Sequence, residues 1–493
     1  MAKYRFTSEH KINLPTIRIA SIELENFKSV KHGVISFNCG KKYIPFGTQS
    51  DILGIYGQNG SGKTSAIEAI SILKYLLSGK AVPDEYSDCV DIHAGYAAMS
   101  FTLDVQYPAG GNYPTNDDIR KVVYSVKIAR EEKEKDDIPH IFIDNTLDDF
   151  IPSSKYRVVV FDEVLRISGT ICGKKTPLKP FVDTTTKAYI GPSTKAKMLL
   201  GVLNEDKRVA LGINKQIARS GSRSFIFHPQ MLELYSDNSD YSPLYQLMIE
   251  LRLWGSQYLF VVDSKSTGLI RLNYMLPVYI RGENVDMVPV PINKPFTIDD
   301  DGFDMLSEVF DSLSEVLKEI VPGLTVYLRN NGSTLLDDGQ PGHLAELIAK
   351  RGETEIPLRG ESDGVRKLIS TLHFLITAYN QQSTTIAYDE FDAGIFEYLL
   401  GEILMVLQTS GKGQFIFTSH NMRPLEVLNK DSICFTTTDP ENRYIKLTGI
   451  GETNNLRRVY YREIAMHDHY ENLYSETKRN HIISAMRKAG GKL

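Results

Sequence analysis

The sequence predicts an α/β protein built on a mixed sheet, and three observations carry that expectation. Residues 17–24 and 29–37 alternate apolar and polar side chains, as half-buried antiparallel strands do. Residues 51–56 form a short apolar run that enters Gly57, and residues 65–77 then place Ile67, Ile70, Leu73, Leu76 and Leu77 at helical spacing, giving strand, loop, helix. Far downstream, residues 384–388 read as a buried strand. A helix with Ile395, Leu399, Val406 and Leu407 on its apolar positions follows, and then the strand 414–418.

The chain has 493 residues, enough for two or three domains. Hydrophobic residues at 42% and charged ones at 24% are ordinary globular values and exclude a disordered or coiled-coil protein. Lys and Arg total 56 against 61 Asp and Glu, a net of −5, so bulk charge does not make it a polyanion binder. Cys39, Cys89, Cys172 and Cys434 are far apart in sequence, with neither a disulfide framework nor zinc spacing. Residues 1–20 lack the apolar core of a signal peptide, and residues 244–262 carry Glu250, Arg252 and Gln257, too polar for a lipid-facing span. A cytoplasmic protein with no membrane partner is expected.

A further set of alternating runs follows at 97–107, 121–129 and 141–144, separated by the polar turns 108–116 and 130–139. Residues 165–230 then hold twelve Lys or Arg against three acids, a window of +9 that leaves −14 for the remainder. Phe303, Leu306, Val309, Phe310, Leu313, Val316, Leu317 and Ile320 mark one face of a helix, stopped by Pro322 and Gly323 before a strand at 324–328.

Gly57-Gln58-Asn59-Gly60-Ser61-Gly62-Lys63-Thr64 has the spacing of a phosphate-binding loop and lies between a strand and a helix as that loop requires. Residues 58–65 are the expected nucleotide contacts. Backbone N–H groups and the helix N-terminus up to Ser65 face the phosphates, Lys63 neutralises them, and the Thr64 hydroxyl ligates Mg2+. The partner to this loop is an apolar strand ending in acids, for which two stretches qualify. Asp389-Glu390 is preferred because a helix, a second strand and Ser419-His420-Asn421 follow it. Asp162-Glu163 has no such sequel and reads as solvated residues at a strand end. Asp389 would hold Mg2+ through its water shell, Glu390 would accept a proton from attacking water, and His420 would bond the γ-phosphate. Upstream, Ser362-Asp363-Gly364 opens a regular amphipathic helix and forms a second anion-binding N-terminus. One triphosphate does not need two in one polypeptide, so the second is expected to serve a nucleotide held by another subunit.

In this order, residues 57–64, 362–364, 389–390, Asp392 and 419–420 resemble the ABC-type ATPases, and Ile22-Glu23-Leu24-Glu25-Asn26-Phe27-Lys28-Ser29 is similar to the opening strands of their SMC, RecF and OLD-like branch. Within it the chain looks most like the ATPases that accompany a nuclease in phage-defence systems such as PARIS, Septu and some retrons. The resemblance implies a P-loop NTPase of ABC type with ATP and Mg2+, a homodimer or an assembly of dimers, and γ-phosphate contacts from Ser362 and Gly364 across the dimer. It gives Asp392 the loop that couples the two sites. It also implies a separately encoded effector nuclease as partner, restrained or released on a phage-encoded trigger protein or nucleic acid, and no nuclease activity in the chain itself. A RecF-like or SMC-like DNA-handling ATPase is the alternative. The signature here is Ser-Asp-Gly-Val where the family has Ser-Gly-Gly-Gln, and the family's glutamine loop has His93 as its candidate.

Four segments are expected: 1–150 with the antiparallel lobe and P-loop, 151–320 as an inserted lid, 321–450 with the remaining ATPase motifs, and a helical tail at 451–493. Within the lid, Lys207, Arg208, Lys215 and Arg219 are candidate docking residues for nucleic acid or an acidic protein. The tail, with Arg457, Arg458, Tyr460, Tyr461 and Arg462 and a final basic group, reads as surface helix.

Overall fold

A computed structural model of the chain describes residues 15–37, 51–107, 118–133, 154–171, 174–186, 190–192, 194, 200, 204–236, 242–263, 275–279, 287–336, 338–447, 455–466, 473–474 and 478–490. The run expected at 141–144, together with Cys39 and Cys172, lies outside them.

The chain opens with the antiparallel pair β1 (Thr16–Phe27) and β2 (Val30–Ser36). Strand β3 (Asp51–Tyr56) leads into helix α1 (Lys63–Leu77). Strands β4 (Ala97–Gln106), β5 (Asp118–Glu132), β6 (Tyr156–Ile171) and β7 (Lys174–Asp183) complete an antiparallel sheet of order β2-β1-β4-β5-β6-β7. Helices α2 (Glu205–Ser220), α3 (Pro229–Ser236) and α4 (Ser242–Leu253) follow, and a π-helical turn then feeds β8 (Leu259–Val262). After the ribbon β9 (Met275–Tyr279) and β10 (Met287–Pro291) come β11 (Phe296–Ile298), α5 (Asp300–Ile320), β12 (Leu324–Leu335), β13 (Pro341–Arg351) and β14 (Thr354–Pro357). The last third supplies α6 (Asp363–Asn380), β15 (Thr385–Tyr388), α7 (Glu397–Ser410), β16 (Gln414–Thr418), α8 (Pro424–Val427), β17 (Ile433–Thr436), β18 (Tyr444–Ile445), α9 (Leu456–Met466) and α10 (Arg479–Gly490).

The second large sheet runs β18-β17-β3-β16-β15-β8, parallel throughout except at β18. Its strands are buried on both faces, which is why they read as continuous apolar runs. Side chains alternate between two cores. Leu53, Ile55, Leu259, Val261, Ala387, Ile416 and Cys434 face α1, the antiparallel sheet and α2–α4, whereas Ile52, Tyr56, Phe260, Val262, Ile386, Tyr388, Phe415, Phe417, Ile433 and Phe435 face α5–α7 and the β12–β13 sheet. Helix α1 is sunk between sheets, with twelve of its fifteen residues buried. Of these, Glu68 is paired with Lys28 Nζ at 2.6 Å.

Two polar side chains join the sheets. Strand β2 pairs with β1 only from Ser21 onward, so the outward backbone groups of Ile19 lie beyond its end. The buried Gln414 amide takes the place of a strand there: Oε1 accepts from Ile19 N at 3.0 Å, and Nε2 donates to Ile19 O at 2.9 Å and to Asp51 Oδ2 at 2.6 Å. Buried Arg18 donates to Thr384 O at 3.0 Å and also to Lys412 O.

Several sequence expectations change. The antiparallel sheet continues to Asp183, past the boundary expected at 151. Strand β8, at 259–262, belongs to the parallel sheet, so the inserted helices are 205–253 and share the core of α1. Part of the +9 window lies on β7, the edge strand of the sheet among the described residues, where Lys175 and Lys179 are exposed. Glu163 is not solvated. Asp162 and Glu163 stand opposite the single residue Val126 in a β-bulge with Asp162 at φ 52°, which sends Asp162 outward to Lys127 and turns Glu163 into the core. There Glu163 is 2% exposed and accepts from Tyr124 Oη at 2.7 Å, Phe225 N at 2.7 Å and Ser224 Oγ. Burial raises the pKa of its carboxyl group, and these hydrogen bonds pull against that. On α7 the inward residues are Leu400, Ile403, Leu404 and Leu407, whereas Val406 is exposed. The tail is not all surface: α9 buries Leu456, Val459 and Tyr460, the last stacked on Phe435 at 4.9 Å between ring centres, and only α10 has no buried residue.

Replacing Gln414 by Leu leaves the Ile19 N–H and C=O buried without their partner, at about 1–3 kcal/mol for each unsatisfied group. Urea unfolding of Gln414→Leu is expected to show a lower midpoint with an unchanged slope. An unchanged midpoint would show that the sheets are held without it.

Candidate nucleotide site

The parallel strands β17, β3, β16 and β15 end together on one edge of the sheet, and the sequence-predicted residues gather there. Strand β3 passes into the glycine loop, whose Gly57, Gly60 and Gly62 have φ of 154°, 78° and 93°. A side chain at 57 is also impossible sterically, since a Cβ would stand 1.8 Å from Thr436 Oγ1. The loop is braced from below by the end of β17 and by β18. Thr436 Oγ1 contacts Ser61 Oγ and donates to Tyr56 O at 3.1 Å, and Tyr444 Oη donates to Gly62 O at 2.7 Å. Arg443 donates to Ser29 O at 2.5 Å, fixing the β1–β2 turn beside the loop, where Ser29 Oγ donates to Gly60 O at 3.3 Å.

Helix α1 starts without a cap. Gly62 offers no side chain, and the first turn contains no acid. By contrast α2, α5 and α6 are capped by Asn204, Asp299 and Ser362, each followed by one or two acids. The N–H groups at the start of α1 thus remain for an anion, and the dipole end points at it. Lys63, 7% exposed, folds back to donate to Gly57 O at 2.8 Å and Gln58 O at 3.0 Å. Burial lowers its pKa, while Asp389, Glu390 and Asp392 draw it back up.

Strand β15 delivers Asp389 and Glu390 to the same edge. The Thr64 hydroxyl donates to Asp389 Oδ1 at 3.3 Å, closing a contact across 325 residues of sequence. Thr418, at the end of β16, donates to the same oxygen at 2.6 Å and accepts from Glu390 N at 2.8 Å. Burial raises the pKa of the Asp389 carboxyl group, with the Thr418 and Thr64 hydrogen bonds lowering it. Glu390 is exposed and sits at φ 51°, a strained conformation for a residue with a side chain. Asp392 accepts from His420 N at 3.2 Å and Asn421 N at 3.0 Å, tying the acid loop to the turn that presents the exposed His420.

The donors suit Mg2+. Thr64 Oγ1 and Asp389 Oδ1 lie close enough to share one ion, and both are oxygen donors of the kind this cation prefers. Among the described residues no group of three or more His, Cys, Asp or Glu could hold a metal by itself, so the ion would be bound together with phosphate oxygens.

Ser362 and Asp363 are exposed, with the Ser362 hydroxyl accepting from Val365 N at 3.4 Å and the Asp363 carboxylate paired with Arg366. That pair offsets a negative charge which would otherwise repel phosphate from this N-terminus. His93 is exposed on the turn after a short 3-10 helix, Asp84–Cys89, where its backbone N–H donates to Asp91 Oδ1. The strand beside β15 is β8, which ends at Val262 next to the buried Asp263. Of the candidate docking residues, Lys207 Nζ donates to Leu200 O at 2.8 Å and Lys215 Nζ to Thr184 O at 2.9 Å, while Arg208 and Arg219 are exposed. Sequence reasoning missed Thr418, Tyr444 and Lys367. Thr418 directly precedes Ser419-His420 and could have been read from that adjacency. Tyr444 acts through a strand too short to carry a periodic signal.

Residues 21–234 match the family model described as AAA domain. No curated protein matches the chain. Solved structures to which it is similar include the Smc head domain with an extended coiled coil bound to the C-terminal domain of ScpA, from Pyrococcus furiosus, at 16% identity over 87% of this chain and 96% of that one, with a TM-score of 0.39. The Smc head domain with a coiled coil and joint from Pyrococcus yayanosii is 12% identical over 88% and 97%, TM-score 0.39. The SMC head domain from Thermotoga maritima is 12% identical over 87% and 99%, TM-score 0.33. With its strand, loop and helix geometry, the chain has a P-loop NTPase fold, a mixed α/β architecture with several sheets.

Tyr444→Phe removes one hydrogen bond from the loop and nothing else. Titration with Mg-ATP is expected to give an affinity about threefold to tenfold weaker, the equivalent of one net hydrogen bond. Equal affinity would show that the loop keeps its shape without this brace.

Proposed function

We propose that the chain is a Mg2+-dependent ATPase of ABC type in which each triphosphate is held between the glycine loop of one copy and the Ser362 turn of another. The observation that supports it most is the convergence of Lys63, Thr64, Asp389, Glu390 and His420 on one sheet edge, beside an uncapped helix start. Backbone N–H groups of 58–65 and the Lys63 ammonium bind the phosphates and offset charge that spreads over the transferring γ-phosphoryl group. Thr64 and Asp389 would hold the ion, which would shield the phosphate oxygens. The Glu390 carboxylate, exposed at the edge, takes the proton of the attacking water, and His420 donates to the γ-phosphate. The signature turn is exposed, and one triphosphate does not need two helix N-termini of the same chain, which is why a second copy is invoked.

On this reading nucleotide state becomes subunit arrangement, since triphosphate contacts close the pair and hydrolysis loosens it. The resemblance to nuclease-associated defence ATPases supports a regulatory role in which that arrangement restrains or releases a separately encoded nuclease on infection. Exposed Lys175, Lys179, Arg208 and Arg219 favour a second reading, a DNA-binding ATPase of the RecF or SMC kind.

Glu390→Gln is expected to lower kcat roughly 10²-fold or more with ATP affinity retained, whereas Lys63→Ala should lose affinity. Phosphate release equal to wild type in Glu390→Gln would refute the hydrolytic role. Arg208→Glu combined with Arg219→Glu tests the second reading: salt-sensitive duplex binding that disappears in the variant, with ATP turnover kept, supports it, and no duplex binding by the wild type excludes it.

A further inference from the structure

Lys367 lies one turn into α6, and its side chain is 4% exposed, a costly place for an ammonium group unless something holds it there. It donates to the backbone carbonyl of Glu390 at 2.7 Å. The same carbonyl accepts from Ala393 N at 3.1 Å, so Lys367 closes the turn that carries Glu390 and Asp392. The other side of Glu390 is pinned as well, its N–H donating to Thr418 Oγ1 at 2.8 Å. A residue at φ 51° is thus fixed at both of its peptide groups, which is what a strained catalytic position requires.

Two more contacts tie α6 to the same loop. One helical turn past Lys367, the Thr371 hydroxyl bonds Tyr388 Oη at 2.8 Å, and the Lys367 ammonium sits 5.6 Å from the centre of the Tyr388 ring. At the helix start, Gly364 presses on Gly394, where a Cβ at 364 would stand 2.5 Å from the Gly394 carbonyl oxygen. The helix that presents Ser362 outward is therefore fastened within its own subunit to the loop that presents Glu390.

We propose that Lys367 is a positioning residue: it holds the Glu390 carboxylate in its working orientation and makes the pose of that base depend on the pose of the signature helix. The inference rests on the reading of Glu390 as the base and of the Ser362 turn as an outward phosphate contact. A triphosphate that draws one subunit's signature turn toward its partner then also sets that subunit's own base, linking the two sites through one ammonium group. Burial lowers the pKa of the Lys367 ammonium to about 8, with Asp392, Glu390 and Asp389 opposing the shift. A neutral amine would lose the charge that strengthens this bond.

The test compares Lys367→Met and Lys367→Arg with wild type in full-length protein. Hydrogen exchange at residues 389–395 reads the clamp whether or not the chain hydrolyses ATP, and steady-state kinetics reads its consequence. Lys367→Met is expected to speed exchange in this segment about tenfold. Its kcat should fall about tenfold or more while the ATP affinity stays within about twofold of wild type. Lys367→Arg, which keeps a charged donor, should recover part of both. If methionine prevents folding, Lys367→Gln, which still donates from a neutral amide, gives the same comparison with smaller effects. Unchanged exchange at 389–395 overturns the proposal, as does a loss that appears in affinity rather than kcat. Fast exchange in the variant with a wild type that releases no phosphate would preserve the clamp and sink the hydrolytic reading instead.

Discussion

The contact of Thr64 and Thr418 with one oxygen of Asp389 is the interaction on which the site depends. It joins the helix after the glycine loop, the strand end before His420 and the strand end before Glu390. Those segments are distant in sequence and become neighbours only through the parallel order β3-β16-β15. Because parallel strands end on a common edge, one register choice places all of them together. A slip of one residue in β16 would turn Thr418 away from Asp389 and exchange the residues of its two cores, so packing and chemistry are fixed by the same pairing.

The rest of the architecture serves that edge. Helix α1 needs cover on nearly every side, and the antiparallel sheet with α2–α4 provides it on the face away from α6 and α7. Arg18 and Gln414 link that sheet to the parallel one with bonds to backbone groups, which are insensitive to side-chain identity on the receiving side. Thr436 and Tyr444 brace the loop from the opposite end of the chain. The phosphate cradle is thereby assembled from both termini of the described fold.

Much of this was legible in the sequence where a local rule suffices. The glycine spacing at 57–64, the apolar run into Asp389-Glu390 and the unbroken periodicity of α5 and α6 each announce their element. What was illegible depended on partners. Glu163 read as solvated because nothing local shows the bulge at Asp162 that turns it inward onto Tyr124 and Ser224. The expected lid boundary at 151 falls inside the antiparallel sheet, because the pairing of β6 with β5 and of β7 with β6 is a long-range fact that no local pattern carries. Val406 was assigned to the core of α7 from hydrophobicity alone, yet the buried stripe is 400, 403, 404 and 407. Lys367 gave no signal, since a lysine on a helix is ordinarily solvated.

The proposed function converts the presence of a γ-phosphate into a geometry that a partner can read, and it requires the nucleotide to be shared between copies. Light scattering of Glu390→Gln with and without Mg-ATP measures this most directly. The molar mass is expected to double on adding Mg-ATP, and the change to vanish when Ser362→Arg is introduced into the same protein. A mass that is indifferent to nucleotide, or a doubling that survives Ser362→Arg, would contradict a shared nucleotide.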